Sequence, residues 1–413
     1  MDWGSITTNA LRAAFGLEAC YYALAAIGLN VHFGYTGLLN FGQAGFLAVG
    51  AYGMGISVSY FGLPLWVGIS IGLVSAVVFA LLLGIPTLRL RADYLAIVTI
   101  ASSEILRLVF RSDTFGTYTG GSGGVGGFAG EFYRVNPYDV GTYRLEAVYA
   151  GSIGWFDVVR LLVAAGIVAL LVRRAMAARS AGGTADETVD DGTADDGTAD
   201  ERPGADVLGA RELVLLGVAA VIAVVGLTPI AFNERVLWIL TVGWGLVAFT
   251  SLLVFLLMRS PWGRVLKSIR EDEDAARSLG KNVVSYKMQS LVFGGVIGAL
   301  GGLVLAIGTQ SIQPEQFGTP ITFFAYAALI LGGTARVFGP IVGSMIFWAL
   351  LSLTENVLRQ SLDQGYLPES LIGTSQVGQI RFMLVGVGLV LLMIFRPQGI
   401  FGNRREIDLD VRR

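Results

Sequence analysis

Few residues in this chain are of a type and spacing to do chemistry, and together they narrow what that chemistry can be. Glu18 and Glu104 are carboxylates near or within apolar runs, a setting in which an ionisable group is costly and suggests proton coupling. Both lie near the ends of their runs, and Arg107 follows Glu104 at helical spacing, so an ion pair on one helix face is the plainer expectation there. His32 is the single histidine and Cys20 the single cysteine. They assemble no histidine-based metal or acid–base site, no CxxC site and no disulfide framework. The glycine run at 119–127, TGGSGGVGG, could offer backbone N–H groups to an anion. No GxxxxGK[ST] occurs anywhere in the chain, which excludes a P-loop. Without a His, Cys or paired-carboxylate constellation in its apolar runs, the sequence argues against an enzyme.

The polar stretch with the most organisation is 259–283, RSPWGRVLKSIREDEDAARSLGKNV, between two long apolar runs. Trp262, Val265, Leu266 and Ile269 fall at helical spacing, with Arg264, Lys267 and Arg270 on the other face. A second short helix should follow: Asp272 suits its N-cap, Glu273 and Asp274 complement its positive end, and Gly280 suits a left-handed residue past its end. Two readings are open from these residues, a docking platform and a helix pair lying on lipid.

Two glycine-interrupted blocks stand out elsewhere. In 34–55, glycines at 34, 37, 42, 45, 50, 53 and 55 permit close helix approach or a broken helix, and Asn40 and Gln43 place amides in an apolar stretch. Plain helix packing and the lining of a path are both compatible with it. In 328–343, short apolar pieces flank Gly332-Gly333 and Gly339-Pro340. Broken segments in both halves of a chain point to a path near the bilayer midplane. Arg336 lies in that second break and should reach the cytoplasmic surface, since Arg at a helix centre costs about 2.5–3.5 kcal/mol in lipid.

The elements that must position these residues are membrane spans. Hydrophobic residues make up 54% and charged residues 15% of the 413, with a mean hydropathy of +0.66, far from a soluble average. Apolar runs of roughly 17 to 25 residues predict spans at 12–33, 38–60, 64–88, 93–111, 152–173, 211–232, 235–258, 285–309, 321–334, 337–357 and 380–396. The 321–334 piece is too short to cross fully and 34–55 invites a break, so 8 to 11 transmembrane or re-entrant helices are expected. The fold class is therefore an all-α polytopic membrane protein, with 1–413 as one transmembrane domain. Without a basic n-region or a small-residue cleavage site, the first span is expected to be its own targeting signal.

Arg89 and Arg91, then Arg173, Arg174 and Arg179, then the loop 259–284, then the tail 397–413 fall on one side if the spans alternate. That side should be cytoplasmic, which puts the N-terminus outside and the C-terminus inside a plasma membrane. The loop 112–150 should then lie outside. One segment departs from everything else: 180–206 repeats GTAD three times and holds nine acidic residues against one Arg. It is too polar to bury a core and is expected to be a disordered cytoplasmic insert. The whole chain has 29 basic and 31 acidic residues, so outside the insert 28 basic face 22 acidic and the membrane body is basic, net +6.

The segment Glu273-Asp274-Ala275-Ala276-Arg277-Ser278-Leu279-Gly280 resembles the "EAA" loop of ABC-importer permeases, an acidic-Ala-Ala segment followed shortly by Gly. Its wider wording is similar to the branched-chain amino acid permease family, M-type subunit. Phe41, Gly42, Gln43, Ala44, Phe46, Gly50, Ala51 and Tyr52 are in place for that family's early-span pattern. Thr119, Gly120, Gly121 and Ser122 are similar to its TGG-x-(D/N)-G segment, although Gly123 stands where Asp or Asn is usual and the following Ile-Pro is missing. The spacing GG-x5-GP-x2-G from Gly332 and the closing Arg396-Pro-Gln-Gly-Ile-Phe-Gly402 resemble it too.

The resemblance implies an ABC-importer permease for leucine, isoleucine, valine or related amino acids. Urea or short amides are the alternative cargo, and a self-contained secondary transporter the alternative class. It implies that Glu273, Asp274, Ala275, Ala276, Arg277, Leu279 and Gly280 couple to an ATPase, with Ala275 and Ala276 seated in its groove. It implies that Asn40, Phe41, Gly42, Gln43, Gly45, Tyr52, Gly332 and Gly333 line the translocation path, and that Thr119–Ser122 belong to an external loop. Expected partners are a second permease subunit, two cytoplasmic ABC ATPases, an external substrate-binding protein and membrane lipid, with no nucleic acid. No metal or cofactor is expected on this chain, and ATP is expected on the partner subunit.

Overall fold

A π-helical turn interrupts the first long apolar stretch, and the arrangement of the chain around that turn is what positions everything below. The computed structural model describes residues 1–88, 92–137, 234–366, 376–395 and 399–400. They belong to one unit, Met1–Asp139 with Phe232–Arg413. The expected spans 152–173 and 211–232, the insert 180–206, and all of the tail but two residues lie outside the described residues.

Helix α1 (Trp3–Phe15) starts at Asp2, whose carboxylate accepts from the backbone N–H of Gly4 at 3.0 Å and Ser5 at 3.2 Å. These are the donors a helix start leaves unpaired. Its buried residues Ile6, Ala10 and Ala14 recur every fourth position, the single stripe of an amphipathic helix. Gly16 adopts an extended backbone and ends it. Helix α2 (Leu17–Leu29) then continues, buried almost all round, and passes into the π turn Asn30–Tyr35. The expected first span 12–33 is therefore divided at Gly16. Residues 37–42 are not helical, so helix α3 (Gln43–Ser59) begins five residues later than the expected 38–60 span. The break that the glycines of 34–55 invited is present.

Helices α4 (Leu65–Thr87) and α5 (Ala92–Arg111) follow. Two short helices, α6 (Gly116–Thr119) and α7 (Gly130–Arg134), lie in the loop beyond. A two-residue strand β1 (Val125–Gly126) pairs antiparallel with β2 (Ser311–Ile312), Val125 opposite Ile312. Helix α8 (Glu234–Arg259) leads into the polar pair α9 (Pro261–Glu271) and α10 (Glu273–Ser278). Helix α11 (Val283–Thr309) is central, packing against α2, α3 and α4. After β2 come α12 (Thr319–Gly332), a break at 333–338, α13 (Gly339–Asp363) and α14 (Val377–Phe395). Helix α1 lies along α13, with Asn9 Nδ2 donating to Asn356 Oδ1 at 3.1 Å and Gln360 Nε2 to Ser5 Oγ at 3.0 Å.

Among the described residues, six helical stretches are long and apolar enough to cross a membrane: Trp3–Tyr35, Leu65–Thr87, Arg235–Arg259, Val283–Thr309, Gly339–Asp363 and Val377–Phe395. Helix α12, with 14 residues, rises only about 21 Å, short of a hydrocarbon core of about 30 Å. The chain is an all-α polytopic membrane protein. Its helices meet closely where glycines remove side chains. A Cβ on Gly332 would collide with the Gly339 carbonyl, and one on Gly343 with the Ala328 carbonyl, so α12 and α13 touch backbone to backbone. Cys20 is fully buried on α2, and a Cβ on Gly243 of α8 would stand 2.6 Å from its Sγ.

Candidate functional site: a polar helix pair and two broken segments

The polar pair forms as its sequence dictates. Asp272 Oδ1 accepts from the N–H groups of Asp274 at 3.0 Å and Ala275 at 2.9 Å, capping α10. At the other end Gly280 is left-handed at φ 75°. Lys281 N–H there reaches Ala276 O at 3.2 Å and Gly280 N–H reaches Arg277 O at 3.0 Å. Those two bonds are a Schellman closure, which a left-handed glycine permits at no steric cost. Leu266 and Ile269 of α9 are buried, and Ile269 packs with Ala276 and Val283. Trp262 Nε1 donates to Gln289 Oε1 at 2.8 Å, and Glu273 pairs with Lys287, so both helices are fastened to α11.

Side-chain directions on α10 differ from one another in a way the sequence did not reveal. Ala276 is 2% exposed and faces the protein, whereas Ala275 is exposed. Of the two small residues, only Ala275 is open to a partner's groove. Asp274 and Arg277 pair at 3.1 Å on the open side, and Leu279 is 79% exposed. Glu273 also receives Arg277 at 3.0 Å.

The first broken segment is held by a buried polar network. His32 Nε2 lies 3.1 Å from the Leu291 carbonyl. A carbonyl only accepts, so that nitrogen carries the proton and Nδ1 is an acceptor. Asn40 Nδ2 gives one hydrogen to His32 Nδ1 at 3.0 Å and the other to Gln43 Oε1 at 3.2 Å, while its Oδ1 accepts from Gly42 N–H at 2.9 Å. Gln43 Nε2 reaches the carbonyls of Ala25 and Gly294 at 3.4 and 3.3 Å. Tyr326 OH donates to Asn40 O at 2.9 Å, and Thr322 Oγ1 accepts from Ala44 N–H at 2.9 Å. The room for His32 and Gln43 comes from α11: a Cβ on Gly294 would meet His32 Nε2, and one on Gly298 would meet Gln43 Nε2.

Asn40, Gly42, Gln43, Gly45 and Tyr52 are all buried, with Tyr52 stacked on Phe110 at 4.1 Å between ring centres. Phe41 is only half-buried and lies beside Phe323 and Tyr326, with centroids at 5.7 and 5.1 Å. Gly332 and Gly333 are buried where α12 ends, and Arg336 in the break that follows is exposed. Asn30, on the π turn, binds that second break through both ends of its amide: Ala335 N–H donates to Oδ1 at 2.9 Å and Nδ2 donates to Arg336 O at 2.8 Å. The two broken segments are thus joined directly.

At the far end of α5, Arg107 pairs with Glu104 as its spacing anticipated, and also with Glu315 at 2.7 Å. Arg111 joins Glu315 at 3.0 Å. In the glycine run, Thr119 is buried, its Oγ1 donating to Phe115 O at 3.1 Å and accepting from Gly121 N–H at 3.3 Å. Gly120, Gly123 and Gly124 direct their N–H groups to carbonyls of the same loop, and Ser122 is exposed. With Gly121, four of the run's N–H groups are thereby unavailable to an anion. Sequence reasoning left out Asn30 and Glu315 and gave His32 no site; Leu291, Ala335 and Arg107, which bind His32, Asn30 and Glu315, lie 259, 305 and 208 positions away, beyond any local pattern.

Residues 13–393 match the family described as the branched-chain amino acid transport system / permease component. The chain belongs to this family. It is a permease subunit of an ABC importer, with the transport role of that family rather than an enzyme's. Among its relatives is the high-affinity branched-chain amino acid transport system permease protein LivM of Salmonella typhimurium, 26% identical over 93% of this chain and 68% of that protein. LivM of Escherichia coli is similar to the same extent, 26% identical with the same coverage. The autoinducer 2 import system permease protein LsrC of Yersinia enterocolitica is 30% identical over 32% of this chain and 35% of its own length. No solved structure matches the chain. Within this family, the break after α2, the paired break after α12 and the polar pair α9–α10 are the features for which a transport mechanism must account.

Proposed function

We propose that this permease imports branched-chain or related amino acids, driven by ATP hydrolysed on a separate subunit. In this reading α10 is the coupling helix, seated on a cytoplasmic ABC ATPase. A second permease subunit completes the membrane part, and an external binding protein delivers the cargo near Thr119–Ser122. The N-terminus then lies outside and the C-terminus in the cytoplasm. The cargo assignment rests on the names of the longest-matching relatives, with urea or short amides as the alternative.

One observation carries the docking role of α10. A helix pair lying on lipid needs a free apolar face to insert, and here Leu266, Ile269 and Ala276 are covered by the protein itself. What remains outward on α10 is Asp274, Ala275, Arg277 and Ser278, charges of both signs around small residues, with the lone apolar side chain of Leu279 exposed just past its end. Such a surface fits a polar groove better than a bilayer interior. The path is formed beside the broken segments, where half-buried Phe41 and exposed Phe323 are the accessible side chains and Asn40, Gly42, Gln43, Gly45, Tyr52, Gly332 and Gly333 keep its wall in shape.

The test is Ala275→Trp in the reconstituted importer. The bulky side chain is expected to leave the permease in the membrane and to reduce both ATPase capture and uptake at least tenfold. Wild-type capture and uptake would return α9–α10 to the interfacial-helix reading. Uptake of radiolabelled leucine, isoleucine and valine against urea in the same vesicles decides the cargo.

A further inference from the structure

We propose that Arg270 is the positioning residue through which motion of the coupling helix reaches both broken segments. This inference rests on α10 docking an ATPase, and adds the route inside this chain. Sequence periodicity puts Arg270 on the polar face of α9, beside Arg264 and Lys267. It is exposed there as they are, and its Nη1 donates to the backbone carbonyl of Gly34, in the π turn. The stem of the side chain also lies on the chain just beyond, since a Cβ on Gly37 would stand 3.4 Å from Arg270 Cγ and 3.7 Å from its Cα. Gly37 is left-handed at φ 74° and lacks a side chain where the arginine rests.

Gly34 is where three elements converge. A Cβ there would strike Asn30 Oδ1 and would lie 2.8 Å from Ala335 N. Asn30 is the residue whose amide holds 335–336. Ala335 is itself left-handed at φ 57° without being glycine, a conformation that persists only where the surroundings enforce it. A displacement of the end of α9 is therefore delivered to one carbonyl, and from there to the break after α2 and the break after α12. Arg264 and Lys267, exposed on the same helix as Arg270 is, have no such contact. The remaining side-chain ties of the pair, Trp262 to Gln289 and Glu273 to Lys287, lead to the continuous helix α11. Among the described residues, Arg270 makes the one hydrogen bond from the pair to a broken segment.

A planar guanidinium with several fixed donors suits this task, because it can hold a carbonyl while its stem packs against the backbone. The experiment uses the whole importer in proteoliposomes, with uptake and ATP hydrolysis measured on the same sample. Arg270→Ala is expected to lower the substrate moved per ATP hydrolysed by about tenfold, and Arg270→Lys to recover a substantial part of that loss. Lys267→Ala, one turn earlier and without the contact, is the control and should keep the wild-type ratio. If Arg270→Ala leaves the ratio unchanged while Ala275→Trp abolishes capture, the route through Gly34 is refuted and α10 docking stands. If Ala275→Trp has no effect, docking itself is wrong. An equal loss in Arg270→Ala and Lys267→Ala would reduce Arg270 to a surface charge. Should Arg270→Ala fail to reach the membrane, the Arg270→Lys ratio alone decides, a value equal to wild type overturning the need for the guanidinium.

Discussion

Replacing Asn40 by leucine removes three hydrogen bonds at one buried position: those to His32 Nδ1, Gln43 Oε1 and Gly42 N–H. The substitution keeps similar bulk but offers no donor or acceptor. A buried polar group left without a partner costs about 1–3 kcal/mol, and three are orphaned, so the unrelaxed loss is roughly 3–9 kcal/mol. Rotation of Gln43 and small backbone shifts recover part of it, which leaves about 3–5 kcal/mol. In a detergent-solubilised sample scanned at one fixed rate, this should lower the apparent Tm by on the order of 10 °C. Uptake should be lost with it. Asn40→Asp keeps the contact to Gly42 but has no N–H for His32 or Gln43, and it buries a charge. It should be at least as damaging. Two results would refute the reasoning. A leucine variant with wild-type Tm would mean that the amide faces water rather than the network. A fully active aspartate variant would mean that His32 donates from Nδ1, contrary to the tautomer fixed by Leu291.

Gly42→Leu and Gly45→Leu should both abolish uptake at equal expression. Gly42 should be the less tolerant of even an alanine, because its Cβ would strike the Thr99 carbonyl, whereas Gly45 faces Ser103 and the Phe79 ring at 3.0–3.2 Å; wild-type uptake in either leucine variant would show that the block faces lipid. Gly280→Val should weaken the Schellman closure by roughly 1–2 kcal/mol of backbone strain alone, since no atom lies within 4 Å of a Cβ there. The readout is a fall in uptake with the permease still in the membrane, and an unchanged rate would separate the turn from coupling. Deleting 180–206 should leave membrane levels and uptake nearly as they are, because so polar a segment buries no core; collapse of uptake at full membrane levels would assign it a docking or regulatory role.

What could be read in the sequence was whatever local rules govern. The caps of α10 follow from Asp272 and Gly280 standing at the two ends of a six-residue helix, and both took the conformations those residue types favour. The Glu104–Arg107 pair is an i,i+3 contact that spacing alone announces. The break in the glycine-rich block was legible as a possibility, but not its start, because residues 30–35 leave the α-helix as a π turn rather than at a proline or a glycine pair. Nothing local could show that Ala276 turns inward and Ala275 outward, since a short helix with one buried neighbour on each side has no periodicity to read. His32 looked inert for the same reason. Its partners, Leu291 and Asn40, come together only after α11 has packed against α2. Arg270 stands on the exposed face that its spacing gives it, but its bond to Gly34 is not legible there, because a helical wheel registers where a side chain starts and not where a long one ends.

The solitary thiol of Cys20 has a practical consequence. It is sealed between α2 and α8 in the folded protein, and it is the only cysteine in all 413 residues. A cysteine introduced at Leu279 or Asp274, both open to water, would therefore be the single accessible point of attachment for a maleimide dye or a nitroxide. No cysteine-free background need be built first. A spectroscopic label placed there would report the approach of an ATPase to α10 in the native sequence, and unmasking of the second thiol would report, in the same sample, that the fold had opened.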